Sequence, residues 1–181
     1  MKARTVRLQR ATAAVAAAAA LLALALAVAA GPAAAALPNP AQLVPGRSLA
    51  GVALGMTSRE VTATLGSVHG TCRSCAWPTW YFQLRPFSPQ GLGVELRDGR
   101  VAAVFTLWSP SGWTTQEGVK IGASEVRLGA VYRGLDLVEC HDLSGYDLLV
   151  QRSPGATTGY LLVAGKVWGF MLARPKDPLC R

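Results

Sequence analysis

The sequence has few of the features that mark enzymes and nucleic-acid-binding proteins. It contains two histidines in 181 residues and no Gly-x-Ser-x-Gly segment, which argues against an α/β-hydrolase nucleophile. No run of Lys or Arg follows residue 36, which argues against a nucleic-acid-binding surface. No Arg-Arg pair precedes the first apolar stretch and no Cys lies beside it, which argues against twin-arginine export and lipid attachment there.

The first 36 residues have the three parts of a secretion signal. Four basic residues and no acidic one open the chain, residues 11–30 are uncharged and mostly Ala and Leu, and two small-residue exits end at Ala30 and Ala36. We expect cleavage after Ala36, with Ala30 as the alternative. Retention as an anchor helix is the other reading, because about 20 apolar residues can span a bilayer. Removal of these four basic residues lowers the formal net charge from +8 to +4.

An internal repeat organises the remaining chain. The segment Gly51–Thr57 recurs as Gly118–Ser124, and Gly93–Val101 recurs as Gly159–Val167, at offsets of 67 and 66 residues. Two matches in one order at nearly one offset predict two copies of a single unit. The predicted organisation is a signal peptide at 1–36, an extended lead-in at 37–47, repeat unit 1 at 48–107, a linker at 108–117, and repeat unit 2 with a C-terminal tail at 118–181.

Each predicted unit contains one short helix followed by three strands. Thr57 and Glu60 have capping-box spacing in the first unit, and Ser124 is the N-cap of the second helix. Asp98-Gly99 and Ala164-Gly165 predict hairpin turns. The predicted strands cover 80–84, 93–97, 100–107, 147–152, 159–163 and 166–173. We therefore expect an α+β fold, with two tandem helix-plus-three-strand units forming one antiparallel sheet and helices packed on one face.

The start of the first unit carries a resemblance to known families. The residues concerned are Gly51, Gly55, Met56, Thr57, Val61 and Gly66. They resemble the repeat of the secreted β-lactamase-inhibitor proteins and of the small lipoprotein of the outer-membrane β-barrel assembly machinery. The resemblance implies a helical segment followed by a β-hairpin sheet, in tandem across residues 48–173. Cys72 to Phe82 and Gly93 to Val101 are similar to secreted proteins of high-GC actinobacteria, a family that implies no activity.

The four cysteines, Cys72, Cys75, Cys140 and Cys180, all follow the predicted signal. An even number of cysteines outside the cytoplasm favours disulfides. We expect the pairs Cys72–Cys75 and Cys140–Cys180, although the sequence alone allows three connectivities.

Two other uses of these cysteines stay open. Cys72 and Cys75 have the spacing of a thiol-disulfide centre, but such a centre opens a helix and this motif follows one. A zinc site could be built from His69, Cys72, Cys75, Cys140 and His141. Covalent haem attachment is excluded, because Ala76 stands where a His would have to follow the second Cys.

The aromatic residues give the best indication of a binding surface. Trp108 and Trp113 bracket a Ser-Pro-Ser-Gly turn, and Trp80 and Tyr81 lie on a predicted strand. Exposed Trp and Tyr are typical binding anchors, and core packing is the alternative. We interpret the protein as a secreted, monomeric, non-catalytic binding module without a cofactor. Its expected partner is an envelope or extracellular macromolecule and not nucleic acid, and the mature form is expected to have no membrane span.

Overall fold

A computed structural model describes residues 37, 41–72, 74–83, 91–140 and 145–180. The predicted signal at 1–36 and His141 lie outside the described residues. The described elements, in chain order, are β1 (Gln42–Val44), β2 (Ser48–Leu49), β3 (Val52–Ala53), α1 (Ser58–Leu65), β4 (Gly70–Cys72), β5 (Thr79–Phe82), β6 (Leu92–Arg97), β7 (Arg100–Thr106), β8 (Thr114–Thr115), α2 (Glu125–Val131), β9 (Asp136–Val138), β10 (Tyr146–Arg152), β11 (Thr157–Val163) and β12 (Lys166–Ala173).

Two sheets contain the described strands. The larger is antiparallel throughout and has eight strands in the order β4-β5-β6-β7-β12-β11-β10-β9. The smaller has the order β3-β2-β1-β8, and its β1–β8 pair is parallel. The two halves of the chain meet at the centre of the large sheet, where β7 pairs with β12. One continuous sheet therefore joins both halves.

The expected α+β fold, with helices packed on one face of the sheet, is wrong. The described part of the chain is mostly β, with twelve strands and two short helices of eight and seven residues. Helices of about two turns are too short to cover an eight-stranded sheet. The small sheet contributes much of the layer that covers one face of the large sheet. Its residues Leu43, Leu49 and Val52 are all fully buried. The helices add only Val61, Leu65 and Leu128.

The expected strands correspond to β5, β6, β7, β10, β11 and β12, which lie within two residues of the predicted bounds wherever the structure describes them. Residue 84, the last of the first predicted strand, is outside the described residues. Each half also has an additional edge strand, β4 or β9, so the large sheet takes four strands from each half instead of three. The predicted lead-in and linker contain β1 and β8, which pair with each other.

The two halves share local backbone geometry. The Gly55 amide donates to the Val101 carbonyl at 2.8 Å, and the Gly122 amide donates to the Val167 carbonyl at 2.7 Å. Both hairpin turns have two successive residues with positive φ, 51° and 70° in one and 48° and 69° in the other. The type I′ turn requires that backbone. These matched contacts support the repeat, and the unit boundaries stay a prediction.

Helix α1 begins with the predicted capping box. The Glu60 amide donates to the Thr57 hydroxyl at 3.3 Å, and the Thr57 amide donates to the Glu60 carboxylate at 2.7 Å. The hydrogen bond from the Thr57 amide lowers the pKa of the exposed Glu60 carboxyl below its usual value. Helix α2 has Ser124 as its cap, with the Arg127 amide donating to the Ser124 hydroxyl at 3.2 Å.

Both expected disulfides are confirmed. Cys72 is bonded to Cys75 and Cys140 to Cys180, three and 40 residues apart in sequence. Disulfides of this kind persist in oxidising compartments. Among the described residues, no helix is both long and apolar enough to span a membrane.

Candidate binding pocket

The large sheet has an inner face toward the core and an outer face on the opposite side. Residues paired across antiparallel strands point to the same face. One register row crosses seven strands on the outer face and consists of Val150, Gly159, Met171, Phe105, Gly93, Tyr81 and Gly70. The neighbouring row, which contains Trp80, Val94, Val104 and Leu172, points into the core.

The segment after β12, residues 174–180, covers part of the outer face. The Arg174 amide donates to the Ala102 carbonyl at 3.0 Å, and the Asp177 carboxylate pairs with Arg97 at 2.8 Å. The Arg97 guanidinium also lies 3.9 Å from the centre of the Trp77 ring, a cation–π contact. The disulfide to Cys140 fixes the far end of the segment, at Cys180. Both ends of the 174–180 segment are therefore held against the sheet.

The uncovered part of the outer face forms a pocket of about 290 Å³. Its lining is almost entirely apolar and consists of Phe105, Thr106, Leu107, Trp108, Tyr146, Leu148, Leu161, Trp168, Phe170, Met171 and Leu179. Leu179 belongs to the 174–180 segment, so this segment forms one wall. None of these lining residues carries a charge.

Aromatic rings form the rim of the pocket. Trp108 is 43% exposed and Tyr146 is 37% exposed, which is high for such large apolar side chains. The Tyr146 and Trp168 rings meet edge to face, with centroids 5.7 Å apart. Trp108 has φ of 63°, a left-handed conformation that is a genuine outlier for a bulky residue. Such outliers concentrate at ligand-binding and active sites, so this conformation supports a functional role for Trp108.

Glycines keep the outer face open beside the pocket. A Cβ at Gly93 would lie 2.4 Å from the Phe105 ring, so that ring can cross the sheet only because residue 93 has no side chain. A Cβ at Gly159 would lie 3.1 Å from Leu148 and 3.3 Å from Met171, both of which line the pocket. The presence of glycine at these two strand positions is therefore explained by the lack of room for a Cβ, and not by a turn conformation.

The four aromatic residues expected at the binding surface do not lie together. Trp108 lines the pocket, and Tyr81 lies farther along the outer face with its hydroxyl 3.5 Å from Cys75 Sγ. Trp80 points to the inner side and stacks on His69 with ring centroids 4.0 Å apart. Trp113 is fully buried, so its expected place on the surface is wrong; it lies among the core residues just before β8.

The alternative zinc site is also wrong, because the cysteines it needs are not free. Cys72, Cys75 and Cys140 are bonded in disulfides, so none can offer a thiolate. His69 stacks on Trp80 instead of joining a ligand set, and the described residues contain no group of three potential metal ligands. Cys72 is the last residue of β4 and Cys75 lies in the turn between β4 and β5, so neither is at a helix N-terminus that would lower a thiol pKa.

The strongest pKa shifts lie in the core and not at the pocket. Burial, followed by the hydrogen bond to the Glu117 carboxylate, raises the pKa of Tyr132 to about 12. Burial also raises the pKa of Tyr160, whose ring stacks on Tyr132 at 5.1 Å. Both groups stay neutral at physiological pH. The pocket itself presents an apolar surface suited to binding.

Most of the pocket was not predicted from the sequence, although one indication was present. In β12, the run Val167, Trp168, Phe170, Met171 and Leu172 places large apolar side chains on both faces of the strand. A strand with one solvated face should alternate apolar and polar residues, so this run indicates contacts on both faces. Leu179 had no such indication, because only the folded 174–180 segment brings it to the sheet.

Comparisons with known proteins add little. No protein-family model and no curated protein sequence matches the chain. A solved structure with some similarity is that of an extracellular protein containing a SCP domain from Bacillus anthracis str. Ames, at 7% identity and a TM-score of 0.48. The match covers 67% of this chain and 44% of that protein.

Proposed function

We propose that the protein is an extracytoplasmic, non-catalytic binding module that uses the outer-face pocket to bind a molecule of the cell envelope or its surroundings. The observation that carries this proposal is the apolar pocket with its exposed aromatic rim. Clustered apolar surface of this kind typically marks an interaction site. The two disulfides support a location outside the cytoplasm, and the N-terminal segment would supply the export signal.

The conformation of Trp108 gives independent support. A left-handed backbone costs an L-residue roughly 1–2 kcal/mol, and the side chain it presents remains 43% exposed. A residue selected for core packing alone would gain more from a buried ring in a relaxed backbone. Trp108 is therefore better explained as a binding anchor than as a packing residue.

Site-specific photo-crosslinking tests the proposal. The photoreactive residue p-benzoylphenylalanine replaces Trp108 at the pocket, or Val126 on helix α2 as the control. Val126 is 83% exposed and does not line the pocket, so it reports nonspecific contacts. Each full-length protein is irradiated with envelope extract and with culture medium. We expect products formed from position 108 and not from position 126.

Products that are identical at both positions, or absent at both, would overturn the proposal. Circular dichroism of the two proteins controls for folding. The full chain is used in each case, so any retained N-terminal anchor is present in both samples.

A further inference from the structure

We infer that the pocket binds one uncharged hydrocarbon group of about ten to twelve carbon atoms, such as an alkyl chain or a fused-ring aromatic group. The inference rests on the proposed function, because it specifies the chemistry recognised by the same site. The group could belong to a free small molecule or to the chain of an envelope lipid.

The size follows from the pocket volume. An apolar cavity of about 150 Å³ accepts one benzene molecule. This pocket measures about 290 Å³, which is nearly twice as large. It lies at the lower end of typical ligand pockets, of roughly 300–1,000 Å³. A group about twice the size of benzene therefore fits, and a large polycyclic ligand does not.

The absence of charge follows from the pocket lining. The lining offers the Thr106 hydroxyl and the polar edges of Trp108, Tyr146 and Trp168, and no charged side chain. The Thr106 hydroxyl is already engaged by the backbone of β12, since it accepts from the Phe170 amide at 3.0 Å. A buried charge without a partner is strongly unfavourable, so a charged group would have to stay at the rim.

The shape of the pocket favours an inserted group over a flat contact. Leu179 closes one side, and it is held there by the Asp177–Arg97 ion pair and the Cys140–Cys180 disulfide. The aromatic rings of Trp108 and Tyr146 border the pocket at its rim. A group entering between these walls contacts side chains on several sides, which suits an alkyl chain or a fused ring.

A chain-length series tests the inference. Linear alcohols from hexan-1-ol to tetradecan-1-ol are titrated into the full-length protein by isothermal titration calorimetry, each below its aggregation limit. Each buried methylene should raise the affinity about fourfold until the pocket is full. We expect this increase to stop near ten to twelve carbon atoms. Undetectable binding, or a rise that continues unbroken to fourteen carbons, would overturn the inference.

Variants assign the binding to the pocket. Leu161→Trp places a larger side chain on the pocket wall, and Met171→Phe is the milder second variant if the first folds poorly. Leu137→Trp is the matched control, because Leu137 is 59% exposed on β9 and does not line the pocket. We expect decan-1-ol affinity to fall at least tenfold in the pocket variants and to be unchanged in the control. Equal affinity in all variants would overturn the inference.

The two possible sources are separated with neutral phosphatidylcholine vesicles. Vesicle binding that Leu161→Trp abolishes assigns the group to a lipid chain, and alcohol binding without vesicle binding assigns it to a free molecule. The inference and the proposed function can also fail separately. Crosslinking from position 108 without alcohol binding would reject the hydrocarbon inference alone, and alcohol binding without crosslinking would reject the proposed envelope partner.

Discussion

At the scale of single residues, the two equivalent hairpin turns offer a direct comparison. Asp98 and Ala164 occupy the same turn position, with φ of 51° and 48°. Asp tolerates this left-handed conformation better than Ala. We expect Ala164→Asn to raise the free energy of unfolding by about 0.5–1 kcal/mol, measured by urea denaturation. Asp98→Asn is the control and should change it by less than about 0.5 kcal/mol, and an equal gain at both turns would contradict the explanation.

Gly93 illustrates a second residue-scale constraint, which is space. Gly93→Ala would place a Cβ 2.4 Å from the Phe105 ring, and that ring lines the pocket. We expect a loss of about 1–3 kcal/mol in unfolding free energy from this overpacking. Gly129 is the contrasting control, because it is exposed in α2 and a Cβ there would have no atom within 4 Å. Gly129→Ala should stabilise the protein by about 1 kcal/mol, and a loss there would refute this distinction.

At the scale of elements, we expect the N-caps of the two helices to contribute to the unfolding free energy with different dependence on pH. Thr57→Ala should cost about 1 kcal/mol at neutral pH, because it removes the cap of α1. The Glu60 pKa is lowered in the folded state, so the stability linked to its carboxylate is present above its usual value of 4.5 and is lost as the pH falls through the lower folded pKa. Thr57→Ala keeps the backbone amide but removes the Thr57 hydroxyl, which donates to the Glu60 carboxylate at 2.8 Å and also lowers its pKa. We therefore expect the effect of Thr57→Ala on the unfolding free energy to shrink below about pH 4.5.

Ser124→Ala is the matched control for this prediction. Its helix has Arg127 at the position that Glu60 occupies in α1, and the Ser124 hydroxyl accepts from the Arg127 amide. The cost of Ser124→Ala should therefore show no comparable decrease in acid. Urea denaturation of both variants between pH 3 and pH 7 provides the measurement, and parallel pH profiles would contradict the role given to Glu60.

The elements that the sequence predicted are those with strong local patterns. Both helices carry N-caps, and the hairpins carry turn residues whose backbone conformation the structure reproduces. The missed strands are very short: β1, β4 and β9 have three residues each, and β2, β3 and β8 have two. A period of two cannot be recognised in so few residues. The α+β expectation failed for this reason, because most of the missed strands form the small sheet opposite the large one.

At the scale of the whole molecule, the two disulfides should contribute unequally to stability. Cys140–Cys180 spans 40 residues and Cys72–Cys75 spans three. The chain-entropy model gives roughly 4 kcal/mol for the longer link and roughly 2 kcal/mol for the shorter. We expect the double variant Cys140→Ser with Cys180→Ser to lose about twice as much unfolding free energy as Cys72→Ser with Cys75→Ser. Equal losses in urea denaturation would contradict the expected dependence on loop length.

The candidate site was less predictable than the fold, because it is assembled from distant parts of the chain. Trp108 was expected at a surface from its place beside a Pro-Gly turn, and it does line the pocket. Trp113 has the same local sequence context and is fully buried. Local sequence cannot separate the two residues, because the difference arises from tertiary packing: Trp113 lies among the core residues just before β8, and Trp108 lies at the pocket.

The position of the disulfides relative to the sheet has a further consequence, for self-association. The two edge strands of the large sheet are β4 and β9; Cys72 is the last residue of β4, and Cys140 follows β9 by two residues. Exposed edge strands can template pairing with another molecule, and proteins limit this by keeping such strands short and covered. Each disulfide here fixes the chain where an edge strand ends. Reduction would therefore do more than lower stability, since it would release the chain at both edges of the large sheet and favour concentration-dependent aggregation.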